Sequence, residues 1–251
     1  MFDAERTRDM EARFTRFQKL FRLQGNLWDL VNDLLNHTEV KHRKGDEHDL
    51  SLLVGASFGK ALKTFYGIND LCLAGWGEDA LVLLRSNVNL LINLSYILRD
   101  PQPIERAADF IAFSYTARVK YLKRAHGVEK PPWKSTTMSD DELKLRAKRW
   151  DDVRISERAA RVPKFHYATG YAFYSSFEHS DAMALNAYIA DWDEVGPRIN
   201  AGPSDECIEA ALGHNATVLA DVLDLYCRYF KIERPDIFEK IQTLLNNSIN
   251  E

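Results

Sequence analysis

Cysteine is scarce in this chain of 251 residues. Cys72, Cys207 and Cys227 are odd in number, far apart and in no Cys-x-x-Cys arrangement. That excludes a disulfide framework and a cysteine zinc site, and the three read as reduced structural thiols. Long apolar runs are missing too. The best stretch, Leu81 to Leu98, is broken by Arg85, Asn87, Asn89 and Asn93, which predicts a core helix and no membrane span. The opening residues MFDAERTRDMEARF have no apolar segment of the kind a secretory signal needs, so a cytoplasmic protein is expected. No segment alternates at period two for long enough to predict a sheet. There is no HExxH, no GxxxxGK[ST] and no GxGxxG. A di-iron bundle needs two Glu-x-x-His motifs and two further glutamates, and only Glu39–His42 fits, so neither metal nor cofactor is expected.

What is present is an ordinary globular composition, 45% hydrophobic and 28% charged, with a net charge of −4. The charge is unevenly spread. Residues 118–164 hold 14 Lys/Arg against 7 Asp/Glu, while the rest of the chain is acidic. Such a region is either a solvated basic face or an anion-binding one, and nucleic acid is an open partner on this ground.

Helical periodicity runs through most of the chain. Phe14, Phe21, Trp28 and Leu35 recur every seven residues, with Phe17, Leu20, Leu27, Val31 and Leu34 filling the same side. This predicts one long amphipathic helix over 4–37, with Gly25 as its expected bend and its stripe as a possible homodimer contact. Further helices are predicted over 50–74, 78–98 and 104–126, then from a Ser139–Glu142 capping box onward. Pro163 precedes a helix holding HYATGYAFYSSFEHS, followed by a shorter one over 182–190 with Asp181 as its cap. DWDEVGPRINAGPS reads as turns, Ser204 as the cap of a helix to about Phe230, and Pro235 as the start of a last one. The expectation is a single all-α domain, an up-and-down bundle of about seven to eight helices. It divides into an N-terminal amphipathic helix over 1–40, a helical core over 45–230 and a C-terminal helix over 231–251.

One polar seam interrupts this pattern. Arg85, Asn89 and Asn93 stand at i, i+4 and i+8 on an otherwise apolar helix, where a solvent face would carry Lys and Glu. An enclosed guanidinium needs partners. Tyr171, Ser175 and His179 form a second row at the same spacing, flanked by Tyr167 and Tyr174. If the rows face each other, Arg85, Asn89, Tyr171, Ser175 and His179 make one hydrogen-bonded cluster. It would be either a structural tie between helices, a pocket for a small anionic ligand anchored by Arg85, or a catalytic site with Arg85 and His179 as its candidates. A Ser175–His179 nucleophile pair lacks any visible oxyanion hole or orienting group.

The run GWGEDALVLLRSNVNLLINLSYILRDP, followed by YAFYSSFEHS, resembles a bacterial all-helical family, domain of unknown function 5677. The resemblance implies an arginine with a glutamate four residues on, then a Tyr-x-x-x-Ser-x-x-x-His row. Arg85, Tyr171, Ser175 and His179 match, and Asn89 departs from the expected glutamate. It implies the fold and marks the seam, and it brings no established activity.

The leading functional reading is a ligand-sensing or protein-interaction module. Its rival is a HEPN-like ribonuclease, or another enzyme acting on RNA or a phosphate-bearing small molecule. The Arg-x(4–6)-His signature of such ribonucleases occurs twice, Arg43–His48 and Arg161–His166, where chance alone gives about 1.6 matches. Pro163 interrupts the second. Trp133, and Trp150 beside Lys148 and Arg149, interleave aromatics with basic residues as single-strand binders do. Both are more simply core anchors, since aromatic side chains bury large areas.

Overall fold

The computed structural model describes residues 2–38, 43–127, 138–179, 182–193, 196–199 and 202–249. The loop holding Trp133, the Glu39–His42 motif and Asp181 lie outside them. The fold is all-α. Four helices build the core: α2 (Gln18–His37), α3 (His48–Ala74), α4 (Gly77–Leu98) and α10 (Ile208–Phe230). Phe65 of α3, Leu84 and Val88 of α4 and Leu212 and Val222 of α10 are sealed where these meet. α4 is apolar and long enough to cross a membrane by composition, and here it packs against α3, α10 and the 166–179 segment.

The first helix is not continuous. α1 (Phe2–Arg16) and α2 are separated at Phe17, whose φ of −105° and ψ of 26° leave the helical region, while Gly25 stays helical. A long-range contact stands at the break. Arg13 and Arg16, in the last turn of α1, both pair with Asp205. The Arg13 guanidinium also lies against Gly75, where an added Cβ would come within 2.6 Å of Arg13 Cζ and where φ is +85°. Glycine takes this left-handed backbone without strain and leaves the guanidinium its place. The α2 stripe is used within the chain: Leu27, Val31 and Leu34 are buried and Trp28 packs edge-on against Tyr66. Phe14 and Leu35 stay exposed.

α5 (Pro103–His126) and α6 (Asp140–Asp151) form a second layer over a small cluster of Ala112, Leu143 and Ala147. Ser139 caps α6 by accepting from the Glu142 amide at 3.3 Å. The reciprocal half of the expected box is absent, because the Glu142 carboxylate accepts from Arg146 Nε at 2.9 Å. The side chain of Asp109 is only 4% exposed and gathers three arginines, with Arg149 Nη2 at 2.7 Å, Arg106 Nη1 at 3.2 Å and Arg146 Nη1 at 3.5 Å. Part of the basic region is therefore neutralised inside the fold.

More helical pieces occur than the seven to eight expected, since α7 (Ile155–Arg158) and α9 (Ala182–Leu185) are single turns. α8 (Tyr174–His179) continues a π-helix over His166–Phe173, and α11 (Pro235–Ile249) closes the chain. The expected helix over 182–190 stops at Leu185. A short antiparallel hairpin, β1 (Ile189–Asp193) with β2 (Gly196–Ile199), stands where turns alone were expected. Its strands are too short for an alternation to show in sequence. Ser204 does not cap α10. Its hydroxyl donates to Glu78 Oε1 at 3.2 Å, a carboxylate that needs a donor because it is buried, and α10 starts after Cys207, whose φ is 61°. Cys72 and Cys227 are buried free thiols, each pushed up to about 12 by burial, which makes them unreactive.

Candidate functional site

The segment His166–His179 presents two rows to the core helices. On one, Arg85 of α4 meets the predicted partners. Its Nε donates to Ser175 Oγ at 2.9 Å, and its Cζ lies 4.7 Å from the centroid of the Tyr171 ring. Ser175 in turn donates to the Tyr171 carbonyl. Arg85 Nη1 pairs with Glu178 Oε2, a carboxylate that sequence spacing did not single out. His179 is 68% exposed and reaches the same Glu178 oxygen at 3.7 Å. Arg85, Tyr171 and Ser175 are thus brought together directly, whereas His179 joins only through Glu178. The missed signal was chemical: a guanidinium this enclosed calls for a carboxylate, and Glu178 stands one turn beyond Ser175.

Asn89 turns away from that row. Its Oδ1 accepts from Asn93 Nδ2 at 3.4 Å, and Asn93 Oδ1 accepts from Arg158 Nη1 at 2.9 Å. Arg158 also lies 4.7 Å over the Trp150 ring, and burial lowers its basicity. Asn89 and Asn93 face a groove of about 300 Å³ between α3, α4 and α5. Ser57, Lys60 and Ser86 supply its other polar atoms, while Leu90, Leu94 and Phe110 are among its apolar walls. Lys60 Nζ donates to Ser86 Oγ at 3.0 Å, and among the described residues it makes no ion pair.

The second row is the one sequence reasoning missed. His166 Nδ1 and His214 Nε2 are 2.9 Å apart, His166 Nε2 is 2.6 Å from Asp221 Oδ2, and the Tyr174 hydroxyl is 3.0 Å from His214 Nδ1. His214, expected to be an ordinary partly buried histidine, is sealed, as are His166 and Tyr174. Burial and the neighbouring His166 push His214 down to about 3, so it is neutral at physiological pH. Burial likewise raises the Tyr174 hydroxyl, which keeps its proton. Gly170 sits between His166 and Tyr174 at the same four-residue spacing. A Cβ there would come within 2.5 Å of His214 Cε1 and 2.8 Å of Val88 Cγ2, so the close approach of α4 and α10 to this segment requires glycine. The π-helix gives the segment its wider turn, a feature often found at functional positions.

The two ribonuclease-like matches resolve differently. Arg161 is exposed, and its backbone carbonyl accepts from Ser95 and Arg99, while His166 is locked in the buried row. Arg43 pairs with Glu47 and donates to the Tyr229 carbonyl at 2.7 Å, a tie to the end of α10. Among the described residues no cluster of three or more His, Cys, Asp or Glu is arranged to hold a metal ion.

Fold and site together define a helical bundle whose central helix carries a polar seam. Residues 52–195 match a family of unknown function, DUF5677, and the chain belongs to that family. Neither the curated proteins nor the solved structures compared gave a match.

Proposed function

We propose that this protein is a ligand-sensing module that binds a small anionic molecule with an apolar body in the groove between α3, α4 and α5. The carrying observation is the lining of that groove: one lysine without an ion-pair partner among the described residues, the hydroxyls of Ser57 and Ser86, the amides of Asn89 and Asn93, and apolar walls. Few polar groups converging on a concave apolar surface is the usual make-up of a small-molecule site. Lys60 supplies the charge and Asn89 and Asn93 the direction. Arg85, the anchor expected from sequence, is already paired with Glu178 and frames the seam from the side. The enzyme reading has weaker support, because the acid–base groups that geometry favours, His166 and His214, are sealed from substrate.

Thermal-shift and calorimetric titration with phenyl phosphate and hexanoate as probes test the proposal. Saturable binding that weakens about tenfold or more in Lys60→Ala and in Asn89→Leu is the expected result. Binding that neither substitution changes, or no binding by either probe at millimolar concentration, contradicts it.

A further inference from the structure

The buried row Asp221–His166–His214–Tyr174 has a hydrogen count that matters. With both imidazoles neutral, each bond has one proton and one acceptor. The Tyr174 O–H donates to His214 Nδ1, His214 Nε2–H donates to His166 Nδ1, and His166 Nε2–H donates to the Asp221 carboxylate. One further proton breaks this order. Both His166 nitrogens then donate, His214 must accept at Nε2 and donate from Nδ1, and Tyr174 must receive that proton. Its own hydroxyl hydrogen is then left facing a sealed interior, and among the described residues Tyr174 makes no second hydrogen bond. An unmade bond in such a place is expensive.

We propose that this row is a proton-operated latch on the 166–179 segment, closed when both histidines are neutral and released when the pair takes up one proton. The groups that bear on the pair are few. From α10 come His214 and Asp221, from the π-helix His166, and from α8 Tyr174. α4 brings Val88 to the Gly170 contact, Cys207 at the start of α10 bears on Tyr174, and Phe165 lies against His214 with its ring centroid 4.6 Å away. Among the described residues, Asp221, partly exposed, is the one charged side chain hydrogen-bonded to the row, and it is the route by which a proton enters. Burial and the neighbouring His166 hold the proton off the sealed His214, whereas an imidazole in water accepts it readily, so falling pH favours the released form. Release frees the π-helix, a geometry held by its surroundings more than by its own ladder. It also takes Tyr171, Ser175 and Glu178 away from Arg85, since both rows stand on one segment. The latch works on the protein without any ligand and is independent of the groove.

The test is hydrogen exchange of the full chain at pH 7.5 and 5.0, corrected for the intrinsic rates, with imidazole nitrogen shifts followed by NMR over the same range. The expected result is a loss of protection of about tenfold or more confined to residues 166–179, with α3 retaining its protection and with His166 and His214 titrating in step with that loss. Replacing both imidazoles, His166→Gln together with His214→Gln, removes the nitrogens that can take the added proton, and protection over 166–179 is then expected to be the same at both pH values. Equal protection of the wild-type segment at both pH values overturns the proposal, as does loss of protection without titration of the two imidazoles. A doubly substituted protein that folds and still responds to pH in this segment also overturns it. If it does not fold, the wild-type imidazole shifts decide alone.

Discussion

Two faces of one short segment carry helical spacing and opposite chemistry. Tyr171, Ser175 and Glu178 meet a guanidinium at the edge of solvent, while His166, Gly170 and Tyr174 meet an imidazole sealed between α4 and α10. On the first face a lost partner is replaced by water, because Glu178 is well exposed. On the second nothing replaces it. The contrast teaches that a polar row at i, i+4 and i+8 reports a helix face, and that what the facing helix brings decides whether the row is adjustable or fixed.

The strongest way to break the contrast is Gly170→Ala. The added methyl has no room against His214 and Val88, so a loss of about 2 to 3 kcal/mol is expected in urea unfolding. An unchanged midpoint would mean that the sealed face is looser than described. Acid is next. The folded His214 is depressed to about 3, against an unfolded value near 6.5. Its contribution is complete above the unfolded value and is lost as pH falls from there toward 3, because the unfolded chain binds the proton first. Unfolding midpoints should therefore fall between pH 7.5 and 5.0, and His214→Gln should flatten that slope.

Arg85→Ala sharpens the comparison from the solvent side. It removes the bond to Ser175, the half-exposed pair with Glu178 and the contact over the Tyr171 ring, and about 1 to 2 kcal/mol of stability is expected to go with them. A loss as large as that of Gly170→Ala would place Arg85 among the sealed groups. His179→Ala should change thermal stability by less than about 0.5 kcal/mol, as befits an exposed side chain whose ion pair is with an exposed Glu178.

Much of the fold was legible because apolar periodicity is a local signal. α3, α4 and α5 begin and end within two residues of their expected bounds. Arg85 facing Tyr171 and Ser175 was legible for the same reason, two rows at helical spacing with complementary chemistry. The break at Phe17 was not, and the contact beside it joins Arg13 to Asp205, 192 residues away. His166 joins His214 across 48 residues and Asp221 across 55, and its segment follows a π-helix that no 3.6-residue pattern describes. The groove was hidden because Lys60 and Ser86 belong to different helices, and neither stands out in its own.

The division between a face that holds the fold and a seam that serves binding is tested most directly by urea unfolding of wild type, Gly170→Ala and Asn89→Leu, each with and without phenyl phosphate. Gly170→Ala is predicted to lower the midpoint and keep the ligand-induced rise, and Asn89→Leu to keep the midpoint and lose that rise. A midpoint that falls in Asn89→Leu while the ligand effect survives would contradict the division outright.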